Sequence, residues 1–349
     1  MFPLIEELKE LGAGVDNVRN SYTNLLFTLR AFVIVVSGDG PASAEAMGLK
    51  KPGNAYRPCH QCLITATAGS TGKTLYIPHT DVDISNLPLR THMRQIIHLF
   101  AGITDPVLQA AKGKDLGIVR ASILLRLPTL RFPESFPLDI MHSILQNVTP
   151  MIHTLMGGRK KIEDTRESLS KRQYRKRLEK DLGLEAIALL DEREVESDLI
   201  TPLDCLITDR QWSEIGGWQD QSRKTIPTLM GQAPRPIHTR YRGYKAMEWE
   251  AFLVRDGIPL MSHLGAAFRP YLMNFHLLRE IYLTAISREL TTEDLRVLRR
   301  NCINWVREFE SLYYSNNLER MKYCKINGHS LLHLGTCYHL NTRNANPSL

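Results

Sequence analysis

Long hydrophobic runs are missing from this 349-residue chain. The longest clean one, Ala31–Val36, is far too short to cross a bilayer. No secretory leader reads at the start, where the first thirty residues are amphipathic and carry acids. These absences point to an intracellular protein with no membrane partner. Cysteine is scarce, six residues with one close pair, which argues for a reducing compartment and for metal over disulfides. Internal repeats and low-complexity stretches are absent. A phosphate loop is lacking too: Gly69–Thr74 imitates one, but the pattern needs glycine where Thr67 stands, and no buried strand precedes it.

What is present is a chain with 43% apolar residues, enough for a sizeable core in one large domain or two ordinary ones. A net charge of +7 permits a polyanionic partner without demanding one. Ten basic and four acidic residues fall within Arg159–Lys180, which is nearly all of that excess. Its dense part holds Lys171, Arg172, Arg175, Lys176 and Arg177. A solvated helix face is the ordinary reading of such a run. The sharper one is a nucleic-acid contact, to phosphates and not to bases, or a nuclear targeting signal.

Pro3–Gly12 reads as a short amphipathic helix, with Leu4, Ile5, Leu8 and Leu11 on one face. Thr28–Val36 is rich in β-branched and aromatic residues and reads as a strand buried on both faces. That strand would place Asp39 at its carboxyl end, where ligands gather in open α/β sheets. Between two glycines, Asp39 is equally well a turn residue. Thr74–Ile77 is a short strand candidate. From Thr91 the pattern is helical. A helix opening near Pro137 and running to about Met156 sets Asp139 and His142 three apart on one face, although an aspartate there is commonly a cap. The clearest helix is Thr292–Tyr313, with Leu295, Leu298, Cys302, Trp305, Val306, Phe309 and Leu312 in its stripe.

Cys59-x-x-Cys62 and His329-x-x-x-His333 are the chemistry-bearing pairs. Two thiolates and two imidazoles complete a tetrahedral zinc site. Spacing alone does not bring the pairs together, and loop cysteines with ordinary helical histidines remain the alternative. His60, Cys324, Cys337 and His339 are further candidate ligands.

Longer motifs occur in order along the chain. They are Gly38–Ser43, Met47–Asn54, Arg57–Cys62, Tyr76–Thr80, Phe132–His142, Thr225–Pro227 and Ile303–Glu310. With these the sequence resembles the fungal branch of the CACTA (En/Spm-like) transposases, of the DDE group with an RNase H-like core. The resemblance covers nearly the whole chain. It implies that Asp39 is the second acidic residue of the DDE triad and that Asp139 and His142 form the D-x-x-H signature. It also implies Zn2+ on Cys59, Cys62, His329 and His333, clamping a helical insertion onto the core. Mg2+ would sit at the carboxylates, DNA transposon ends would be partners, and the location would be nuclear, with a homo-oligomer admitted. Two departures stand out. The family's first aspartate and final glutamate have no counterpart, and no Glu follows Glu319.

The expectation is therefore a mainly α chain with a small β component. A partial RNase H-like core (1–58) would precede a C-x-x-C loop region (59–90), a helical insertion (91–340) and an unrelated tail (341–349). Functionally it would be an internal piece of a transposase that does not cut DNA alone. A DNA-binding or assembly protein derived from one is the alternative, and an unrelated zinc hydrolase the third reading.

Overall fold

The computed structural model describes residues 2–51, 55–68, 75–90, 93–157, 206–227 and 231–334. Helix accounts for 57% of these residues and strand for 6%, all of it in small antiparallel pairs. The mainly α expectation holds. No parallel sheet of an RNase H-like core occurs among the described residues. The chain divides into two compact units, one from Met1–Ala66 and Asn86–Asp139, the other from Thr67–Ser85 and Ile140–Thr336.

The first unit begins with α1 (Phe2–Ala13), which buries Ile5 completely. Strands β1 (Val15–Arg19) and β2 (Leu26–Leu29) follow as an antiparallel hairpin, pairing Val18 with Phe27 and Arg19 with Leu26. The turn forms because the Asn20 side chain accepts from the backbone N–H groups of Tyr22 and Thr23. Helix α2 (Gly40–Met47) ends at Gly48, whose φ of 77° is the left-handed conformation that a glycine adopts without strain. Helices α3 (Met93–Ala101) and α4 (Pro106–Leu116) complete the unit. Ile5, Met47, Met93, Ile97, Phe100, Ile118 and Phe136 form its core.

The expected strand over Thr28–Val36 is largely absent. Only its first residues pair, and Ala31–Asp39 has no regular structure. Val33 and Val36 turn inward because their backbones bond elsewhere: Thr129 Oγ1 donates to the Val33 carbonyl, and Val36 N–H donates to the Ser135 carbonyl. Phe32, Ile34 and Val35 are left exposed. Without a neighbouring ladder, an apolar run takes whatever hydrogen bonds are within reach.

In the second unit β3 (Thr67–Ala68) pairs with β4 (Leu75–Tyr76). A π-helical segment, Met141–Val148, runs into α5 (Thr149–Met156). Helix α6 (Asp209–Ser222) starts on a Thr208–Gln211 capping box. Helices α7 (Arg269–Ala285) and α8 (Thr292–Phe309) pack together, with Asn274 donating to the Trp305 carbonyl. The stripe predicted for α8 is buried at Leu295, Leu298, Cys302, Trp305, Val306 and Phe309. Each of the larger side chains contributes about 1.5–3 kcal/mol on burial. Beyond α8 a π-helical turn (Glu310–Tyr314) leads through Ser315, in the left-handed region, to the short helix α9 (Ile326–Ser330). No helix among the described residues is long and apolar enough to cross a membrane.

Candidate metal centre

Cys59 and Cys62 lie on a loop whose backbone is fastened to the 88–90 segment. Leu63 N–H donates to the Pro88 carbonyl and Arg90 N–H to the Gln61 carbonyl, so Cys62 faces Leu89 across a single antiparallel bridge. Both cysteines are buried and neither forms a disulfide. Gln61 N–H points at Cys59 Sγ, 3.3 Å away, the turn geometry that a C-x-x-C pair needs to present two sulfurs on one side.

Arg90 sits behind this loop, 2% exposed. Its Nε donates to the Cys59 carbonyl and its Nη2 to the Arg57 carbonyl, each at 2.7 Å. Burial pulls the guanidinium down from its ordinary value, and the sulfurs of Cys59 and Cys62 pull it back up. The converse holds for the sulfurs, because a buried cation favours thiolate. Against this, the hydrogen bond shared with Cys59, together with burial, pushes the Cys62 thiol up. Two adjacent sulfurs oppose double ionisation, and a divalent cation reverses that balance by deprotonating a coordinating thiol. Burial pushes His60 below its ordinary value, against the pull of the neighbouring Cys59.

His329 lies on α9 and His333 ends the 3-10 turn Leu331–His333, so the local helix sets both rings on one side. They are 1% and 2% exposed. Their Nε2 atoms are 3.3 Å apart. Two imidazoles on one tetrahedral zinc, at the usual Zn–N distance, hold their nitrogens about 3.3–3.4 Å apart. His329 Nδ1 lies 2.9 Å from His79 Nε2, and His79 Nδ1 lies 2.6 Å from Glu310 Oε1.

One ligand atom from each of Cys59, Cys62, His329 and His333 lies within 4.8 Å of the others, and all four residues are buried. The donor set, two sulfurs and two imidazole nitrogens, is the composition of structural zinc sites. Among the described residues these four are the one group of three or more side chains with metal-holding geometry. Cys324 is buried but outside the group, and Cys337 and His339 lie outside the described residues.

The other predicted residues fare differently. Asp39 is not at a strand end. It is the N-cap of α2, with Oδ1 accepting from Ala42 N–H at 2.7 Å. A short acid just before Gly40-Pro41 is well suited to capping, and no strand reaches it. Asp139 immediately precedes the turn into Met141–Val148, and His142 lies within that segment; both are half-buried. Among the described residues neither joins a carboxylate cluster, and nothing there supports Mg2+. Lys171, Arg172, Arg175, Lys176 and Arg177 lie outside the described residues.

Arg90 and His79 carry no role in the residue-by-residue sequence reading. His79 and Glu310 did lie inside two of the motifs, Tyr76–Thr80 and Ile303–Glu310, which was the available signal. No protein-family model matches the chain, and no curated protein or solved structure matches it.

Proposed function

We propose that the chain is a zinc-stabilised, transposase-related protein that works on DNA and does not itself cut it. The clustering of Cys59, Cys62, His329 and His333 supports the zinc part. Four buried protein donors fill a tetrahedron and leave no position for a water, which makes the metal structural. That counts against the hydrolase reading, which requires an open position. The DNA part rests on the ordered motifs and on the basic run 159–180. The capping role of Asp39 supports the absence of cutting. In-line displacement at phosphorus needs two ions held by converging carboxylates, and one capping aspartate does not hold them.

Metal analysis of the purified full chain tests the zinc. One equivalent is expected, lost in the Cys59→Ser, Cys62→Ser double variant. Stoichiometric zinc retained by that variant would overturn the assignment. Strand nicking and transfer assays with Mg2+ or Mn2+ test the chemistry. No activity is expected, and activity abolished by Asp39→Ala would show a carboxylate centre that this reading denies.

A further inference from the structure

Behind His329 the second unit builds a line of polar groups that the four-ligand reading does not use. Glu310 stands at the start of the π-helical turn Glu310–Tyr314, a helix type frequent at functional positions. Its carboxylate accepts from the backbone N–H of His79 at 3.0 and 3.1 Å, in addition to the 2.6 Å contact with His79 Nδ1. The Cys324 thiol shares a hydrogen bond with Glu310 as well, and burial together with the adjacent carboxylate pushes that thiol up. The loop bearing His79 is pinned on either side, by Ile77 N–H to the Cys324 carbonyl and by Thr80 Oγ1 to Asn316 Oδ1. The His79 and His329 rings are nearly parallel, 13° apart.

Proton bookkeeping along this line leaves one arrangement for neutral rings. An ionised carboxylate only accepts, so His79 Nδ1 carries a proton and donates to Glu310. A neutral His79 then has a bare Nε2, which must accept. The group facing it is His329 Nδ1, so that nitrogen carries the proton. His329 Nε2 then carries the unprotonated lone pair that a metal ligand offers, on the side where His333 Nε2 lies 3.3 Å away. Each ring thus fixes the tautomer of the next, starting from one carboxylate.

We propose that Glu310 and His79 are positioning residues that hold His329 in its Nδ1–H form and aim its Nε2 at the metal. This rests on the zinc reading above. The chemistry is that of a carboxylate–histidine chain behind a metal ligand, with one histidine inserted into it. Losing such a partner costs about 10–100-fold in metal affinity.

The test uses the full chain, zinc-loaded, with long-range proton–nitrogen correlation spectra of its histidine side chains. In the wild type, His79 Nδ1 and His329 Nδ1 should be protonated and His329 Nε2 metal-bound. Zinc bound through His329 Nδ1, or a His329 whose Nδ1 carries no proton, overturns the proposal without touching the zinc reading. Chelator competition then compares wild type with His79→Phe, which keeps the ring and removes the acceptor, and with Glu310→Gln. A loss of about 10–100-fold in zinc affinity, accompanied by altered His329 nitrogen shifts, supports the chain. Unchanged affinity and shifts in folded variants overturn it. A wild-type chain that binds no zinc overturns both readings together. If a variant fails to fold, the wild-type nitrogen shifts still decide.

Discussion

A guanidinium buried as deeply as that of Arg90 is costly unless its charge and all its donors are answered. Here the Cys59 and Arg57 carbonyls accept from Nε and Nη2, Met93 Sδ lies 3.9 Å from Nη1, and the two C-x-x-C sulfurs act on the charge. Arg90→Met should therefore act twice. It leaves the Cys59 and Arg57 carbonyls short of donors, at about 1–3 kcal/mol each, and it removes the charge that favours thiolate. Denaturant unfolding of the two proteins should show a loss of a few kcal/mol (~2–6, from the same range). An unchanged midpoint would mean that Arg90 only fills space. The cysteine and histidine pairs were legible in the sequence because their spacing is local: three and four residues set two side chains on one side of a turn. Arg90, His79 and Glu310 were not legible in this way, since their partners lie tens to hundreds of residues away in the chain.

Helix caps show the same division between elements. Thr291 accepts from Asp294 N–H and Asp294 reaches back to Thr291, a box that could be read directly from the sequence at the start of α8. The fate of Thr28–Val36 could not, because its backbone partners, Thr129 and Ser135, come a hundred residues later. Composition alone favoured a strand, and an unladdered apolar segment won. A second element-scale feature is the helix Ala246–Ala251. Glu248 accepts from Lys245 N–H and from Arg235 Nε and Nη2. The Arg235 hydrogen bonds hold its carboxyl down at about 2. A folded value below the ordinary one means that the contribution is present above the usual carboxylate range, near 4.3. It is lost as pH falls from there toward about 2. Unfolding midpoints measured across that window should fall with acid in the wild type and fall less in Glu248→Gln. Parallel profiles would show that the pair adds nothing.

At the scale of the whole molecule, the hairpin β1–β2 sets a condition on how copies behave together. Tyr22, Leu25, Leu26, Phe27 and Leu29 are all exposed, and among the described residues no further strand pairs with either outer edge of this two-stranded ribbon. Flat apolar edges are templates for pairing with another chain. The net charge of +7 opposes this by mutual repulsion, whose range shrinks from about 30 Å at 0.01 M salt to about 8 Å at physiological ionic strength. Colloidal stability should therefore run opposite to that of a protein held together by ion pairs. Light scattering should rise as salt is added at fixed concentration, and Phe27→Lys should suppress the rise. Scattering that falls with salt would mean that attraction between unlike charges governs the chain's encounters. The high-salt buffer commonly chosen to keep a basic protein clear of stray polyanions would, on this account, be the one in which it precipitates.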